Sequence, residues 1–168
     1  MSVRDFALLA LFMALVAVAT MIVRIPIPQT NGYLNLGDSM VLLAALFFGP
    51  VGGFIAGGIG SALADILGGY PQWAPWTLVI KGFEAILTAS LANALGTRKD
   101  RITWKLAASF CAATSWMVLG YFLAETVMYD QKAAFAEVPA NVLQAAGSVV
   151  LASLMLPVFS RIVSTTRA

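Results

Sequence analysis

The sequence predicts an all-α protein built as a bundle of six transmembrane helices, and three observations predict it. Sixty per cent of the residues are apolar against 11% charged, and mean hydropathy is +0.87, far outside the range of water-soluble domains. The apolar residues stand in long continuous runs, not in the short alternating segments that a closed barrel needs. At about 20 residues per crossing, the 168 residues hold roughly six helices with short loops, a single integral membrane domain over residues 1–168 without room for an appended catalytic module.

The first helix is expected from about Asp5 to Arg24. Its apolar run, Phe6 to Val23, is too long for a signal-peptide core and is followed by Arg24 and prolines, so it reads as a retained span. Pro26, Pro28, Asn31 and Gly32 then stop the helix and turn the chain. The second helix, Gly37 to Phe48, covers only about half of a hydrocarbon layer at 1.5 Å rise per residue. It is either a short span or the first part of one long broken helix reaching Gly68. The breaker Gly49-Pro50-Val51-Gly52-Gly53 favours a hairpin of two helices, the third running from Val51 to Gly68. A short loop with Tyr70, Trp73 and two prolines leads to a fourth helix, Trp76 to Gly96; a fifth (Thr103 to Val127) and a sixth (Val138 to Val163) follow.

Charge placement orients the bundle. Six spans with both termini cytoplasmic put Arg4, Arg98, Lys99, Arg101, Lys105, Arg161 and Arg167 inside, but five spans with the amino terminus outside put as many there. The acidic residues break the tie. Only the six-span arrangement gathers Asp38, Asp65, Glu84, Glu125, Asp130 and Glu137 at the outer end, and groups buried in lipid need partners.

On the fourth helix Thr77, Lys81, Glu84 and Thr88 share one face. An ionisable group at bilayer depth costs on the order of 2.5 to 3.5 kcal/mol, so Lys81 and Glu84 are either a functional site or an ion pair that holds the bundle together. Other polar stripes fall at the same depth: Tyr121, Glu125 and Tyr129 on the fifth helix, and Asn141, Gln144 and Ser148 on the sixth. The first loop adds Tyr33, Asn35 and Asp38, and the third loop adds Trp73 and Trp76. Such a mixture fits a pocket for a small, polar, ring-bearing molecule better than an ion pore. Structural readings stand beside it: the tryptophans as interface anchors, Asn141 and Gln144 as interhelical hydrogen bonds, Asp65 as a cap or a partner of Arg24. Small residues line the third helix (Gly53, Gly57, Ser61) and the first (Ala7, Ala10, Ala14, Ala17), where the seam packs against this chain or another.

Several classes are disfavoured. There is no histidine, and the single Cys111 lies in an apolar run, so no metal centre or other cofactor is expected. No G-x-x-x-x-G-K-[ST] loop occurs to cradle ATP, and no H-E-x-x-H to run a metalloprotease. No nucleic-acid partner is expected; the partner surface is the lipid bilayer.

Tyr33-Leu-Asn-Leu-Gly-Asp38, Phe48-Gly-Pro50, Gly60-Ser-Ala-Leu-Ala-Asp65, Gly69-Tyr-Pro71 and Lys81-Gly-Phe-Glu84 together resemble the S components of energy-coupling factor (ECF) vitamin transporters. The resemblance covers nearly the whole chain. It implies a multi-pass protein of the bacterial cell membrane, and not an enzyme, that binds a vitamin or vitamin precursor near the outer face. It also implies partners, a transmembrane T component and two ATPase subunits, with Ala10 and Ala14 matching the family's A-x-x-x-A contact to the T component. Members for hydroxymethylpyrimidine, pyridoxine-like or riboflavin-like substrates look most similar, and the modest polar set favours a single ring.

On this reading Glu84, Asn141 and Gln144 hydrogen-bond the ring, Lys81 orients Glu84, and Trp73 or Tyr70 covers the ring. Asn35, Asp38, Tyr121 and Glu125 complete the expected binding set. The alternative is a stand-alone proton-coupled carrier titrating Glu84 or Glu125, disfavoured by the lack of an internal repeat. An intramembrane enzyme built on Asp38 and Asp65 is a third and weaker class.

Overall fold

The computed structural model describes residues 2–167, with only the backbone of Arg167, so the expected placement of that side chain lies outside the described residues. Helix accounts for 81% of the chain, and the one sheet among the described residues is a two-stranded hairpin, as expected of an all-α chain.

Helix α1 (Val3–Ile22) starts in a capping box, Ser2 Oγ accepting from the Asp5 amide and Asp5 Oδ2 accepting from the Ser2 amide at 2.9 Å. After Arg24 the chain forms a hairpin that the sequence reading left as a turn. Strand β1 (Ile25–Ile27) pairs antiparallel with β2 (Gly32–Leu34), Ile25 opposite Leu34 and Ile27 opposite Gly32. Asn31 takes φ 47° to close the turn.

Helix α2 (Asp38–Gly53), a six-residue π-helical stretch (Phe54–Ile59) and helix α3 (Gly60–Gly68) then form one run of 31 residues. The described residues therefore hold five continuous helices, not the six expected. No loop separates the second and third expected helices: Gly49 alone, at φ 73° and ψ −171°, reverses the chain within the run. The two arms lie against each other. A Cβ on Gly53 would stand 2.7 Å from Ala45 Cα, and one on Gly57 2.8 Å from a Val41 methyl, so glycine permits the close approach.

Helix α4 (Ala74–Ala94) carries Pro75 in its first turn, where a missing N–H is harmless. Helix α5 (Trp104–Met128) is capped by Thr103 Oγ1, which accepts from the Leu106 amide at 3.3 Å. Helix α6 (Gln131–Arg167) begins before the expected Val138 and continues through Pro139 and Pro157. Among the described residues four runs are long and apolar enough to cross a membrane: Val3–Ile22, Asp38–Gly68, Trp104–Met128 and Gln131–Thr166. Helix α4 falls outside that group, its apolar run interrupted by Lys81 and Glu84.

The short arm of α2 is the centre of the molecule. Every residue from Asp38 to Phe47 is buried, and α2 packs against α1, α4, α6 and the π-helical stretch. Below it Phe12 meets Phe47, Phe48 and Phe159 edge-on at 5.9, 5.2 and 5.4 Å, tying the start of α1 to the end of α6. The first residues of α1 and the last of α6 thus lie toward the same end of the bundle. At the other end, Arg24 Nη1 reaches the Gly68 carbonyl at 3.0 Å, and the β-hairpin and the residue after it bond to the start of α4 and to α6.

Candidate functional site

Polar groups that the sequence places on every helix from α1 to α6 and on the hairpin meet beneath that hairpin. The helical spacing of Thr77, Lys81 and Glu84 turns them all inward on α4, and each is buried, Lys81 to 1% exposure and Glu84 to 0%. Lys81 Nζ donates to Asp38 Oδ1 at the start of α2, and Glu84 Oε2 lies 3.8 Å from the same nitrogen. Gln144 Nε2 donates to the other Asp38 oxygen at 2.8 Å, and Gln144 Oε1 accepts from the Asn35 amide at 2.8 Å. Asn35 Oδ1 in turn accepts from the Gly37 amide at 2.9 Å, holding the turn that leads into α2. One ammonium and one carboxamide therefore tie α2, α4, α6 and the first loop together. Full satisfaction of Asp38 in an enclosed setting makes it a rigid floor for the site.

Above this floor is a small cavity of about 30 Å³. Six of the expected residues line it: Asn35, Trp73, Lys81, Tyr121, Asn141 and Gln144. Trp73 is 4% exposed; its Nε1 donates to the Asn31 carbonyl at 3.2 Å, and its ring lies 5.9 Å from Tyr121 and 6.1 Å from Tyr129. That position is inside the bundle top, so the interface-anchor reading does not describe Trp73. Tyr121 shares a hydrogen bond with Thr77 at 3.2 Å, and the Lys81 ammonium sits 5.2 Å from its ring centroid.

Four expected residues stand back from the cavity wall. Asp38 and Glu84 lie behind Lys81. Glu125 lies behind Asn141, whose Nδ2 donates to it at 3.4 Å. Tyr70 stacks on Tyr33, ring centroids 4.7 Å apart, on the rim.

The structure also brings in residues outside the expected binding set: Thr20, Gly32, Tyr33, Ser61, Asp65, Thr77 and Glu137. Tyr33 Oη donates to Asp65 Oδ1 at 2.5 Å, and the Arg24 guanidinium lies 5.8 Å from the Tyr33 ring. Burial, and then the neighbouring Asp65 carboxylate, hold the Tyr33 hydroxyl protonated well above its ordinary 10.0. The alternative partner for Asp65, Arg24, bonds backbone carbonyls of Met21 and Gly68 instead. The spacing Ser61 to Asp65 on α3 carried the signal for these two, being one face of one helix. Glu137 had no such signal, because its stretch was read as loop and first turn.

Ala10 and Ala14 are exposed on the outer face of α1, beside Leu11 and Val18 at 50% and 49% exposure. They do not pack against another helix of this chain, which leaves lipid or a second protein as their neighbour.

Residues 1–161 match the model of a family described as ECF-type riboflavin transporter, S component. An uncharacterized protein from the gap 3' region of Pyrococcus woesei is 43% identical over 136 residues, 81% of this chain and 88% of that protein. The thiamine precursor transporter HmpT of Lactococcus lactis subsp. cremoris is 29% identical over 161 residues, 95% of this chain and 90% of HmpT. A UPF0397 protein of Streptococcus pneumoniae is 28% identical over 116 residues, 66% of this chain and 63% of that protein.

Proposed function

Because this chain belongs to the ECF-type riboflavin transporter S component family, we propose that it is the capture subunit of an ATPase-driven importer and binds its substrate in the cavity beneath the β-hairpin. The observation that carries the reading is the cavity itself: a pocket at one end of the bundle, walled by Trp73 and Tyr121 and fitted with Lys81, Asn141 and Gln144. Aromatic walls with a few converging polar groups are what a small ring-bearing molecule requires.

The substrate in this proposal is hydroxymethylpyrimidine or a pyridoxine-like compound. A relative named for a thiamine precursor supports a single ring, and so does the little room left by the closed hairpin. Trp73 covers the ring, Asn141 and Gln144 contact its substituents, and Lys81, held by Asp38 and Glu84, sets the field beneath it. Access requires the hairpin to lift, which breaks the bonds from Trp73 Nε1 and Gln72 Nε2 to the Asn31 carbonyl and the bond from Tyr33 Oη to Asp65.

The protein sits in the cell membrane with both termini cytoplasmic and the cavity outward. Reversal at Gly49 gives the five helices six arms, an even number of passes. The outer face of α1, with Ala10 and Ala14, meets the T component, and two ATPases act through it.

Tryptophan fluorescence of the purified protein in detergent tests capture, using a panel of B vitamins with pyrimidine and pyridine precursors. Saturable quenching at submicromolar concentration by one compound, lost in Asn141→Ala and dimmed in Trp73→Phe, is the expected result. A folded protein that responds to none, or that accumulates substrate in vesicles on a proton gradient without ATPases, overturns it in favour of a carrier.

A further inference from the structure

Hydrogen bonds around the cavity divide its polar atoms unevenly. Five donors on its wall are already engaged: Lys81 and Gln144 on Asp38, Asn141 on Glu125, Tyr33 on Asp65, and Trp73 on the Asn31 carbonyl. Two carboxylate oxygens are not. Asp65 Oδ2 and Glu137 Oε2 have no hydrogen-bond partner among the described residues, although the two side chains line the cavity and are only 3% and 5% exposed.

Behind them Glu125 Oε2 and Thr30 Oγ1 are in the same condition, on residues that are 0% exposed. These groups are contiguous. A Cβ on Gly32 would stand 3.1 Å from Thr30 Oγ1, 3.5 Å from Glu137 Oε1 and 3.6 Å from the Trp73 ring. Formal charge leans the same way, since Asp38, Asp65, Glu84, Glu125 and Glu137 are all buried here against Lys81 and Arg24. A buried carboxylate oxygen without a donor is unfavourable, and a ligand that brings N–H groups relieves it. An anionic ligand would add to the repulsion.

Resting on the capture reading above, we propose that Asp65 and Glu137 set the specificity of the site by accepting N–H donors from the ligand. Its class is then a small neutral or cationic nitrogen heterocycle bearing an amino group, and anionic rings are rejected. Thr30 and Glu125 back the acceptor wall, and Gly32 keeps the approach to Glu137 open.

Isothermal titration of the purified protein in detergent tests this with three probes: 4-amino-5-hydroxymethyl-2-methylpyrimidine, the isostere with methyl in place of the amino group, and the analogue with a 5-carboxylate. Riboflavin and pyridoxine serve as controls. Removing the amino group is expected to weaken binding about 10- to 100-fold, and the carboxylate to show no measurable heat. Glu137→Gln and Asp65→Asn, each verified as folded by an unchanged size-exclusion profile, are expected to weaken the amino probe at least about tenfold. The same variants should shift the methyl isostere by less than about twofold.

Equal affinity for the amino and methyl probes overturns the proposal, as does unchanged binding of the amino probe in both variants. Tight binding of riboflavin or of the carboxylate alone overturns it while leaving the capture reading intact. Silence from every compound overturns both.

Discussion

Lys81 is the residue on which the interior charge balance turns. Its ammonium is buried between Asp38 and Glu84, on a helix that would otherwise be apolar. Removing one partner of a buried ion pair strands the other, at about 3–5 kcal/mol. Lys81→Met is therefore expected to lower stability by that amount in reversible unfolding in mild detergent, and Asp38→Asn added to it to recover a substantial part. No recovery in the double variant would show that Lys81 acts through packing alone. Tyr33 gives a second prediction. The folded chain keeps its hydroxyl protonated at a pH where the unfolded chain, near 10.0, releases it. Stability from this source is thus complete below pH 10 and declines as pH rises above it. In thermal melts at rising pH, Tyr33→Phe should show a shallower alkaline decline than the parent. Sequence spacing sufficed to align Lys81 with Glu84, but it could not name Asp38 as the tighter partner, because that contact joins residues 43 positions apart.

At the scale of elements, Gly49 decides whether one helix or two arms follow Asp38. Its φ of 73° with ψ of −171° belongs to a region that only glycine enters freely. No atom lies within 4 Å of where a Cβ would stand, so the penalty in Gly49→Ala is conformational and not a clash. A loss of about 1–3 kcal/mol is expected in denaturant unfolding; a neutral effect would mean that the reversal tolerates another backbone form. The glycine and proline cluster made this breaker legible. Its outcome, an uninterrupted run with a single reversed residue, was not, since a turn inside a helix leaves no loop composition to read. The hairpin Ile25–Leu34 was hidden for a related reason: three-residue strands carry no usable alternation, and Pro26 argues against a strand.

For the whole molecule, composition alone indicated an all-α membrane bundle, and the count was off by one because helix number and number of arms differ in this chain. The site was legible to the extent that it lies on helices of regular spacing, as with Tyr121, Asn141 and Gln144. Residues that enter through the hairpin or through the early start of α6, such as Gly32 and Glu137, were not, because their position depends on how one element folds over others. If the capture reading holds, this chain in liposomes without partners should bind ligand but show no accumulation over time. Time-dependent uptake of labelled ligand by such liposomes would refute it.

The layer beneath Asp38 has a kinetic meaning. Leu42, Leu43, Leu46, Phe110 and Leu156 are 0–1% exposed and fill the space between the cavity floor and the end where α1 begins and α6 finishes. If the capture reading holds, that layer is a cul-de-sac for a hydrophilic passenger: the door through which it came is also the exit. On that reading, a path along the bundle axis would have to part this layer before anything could pass to the far side.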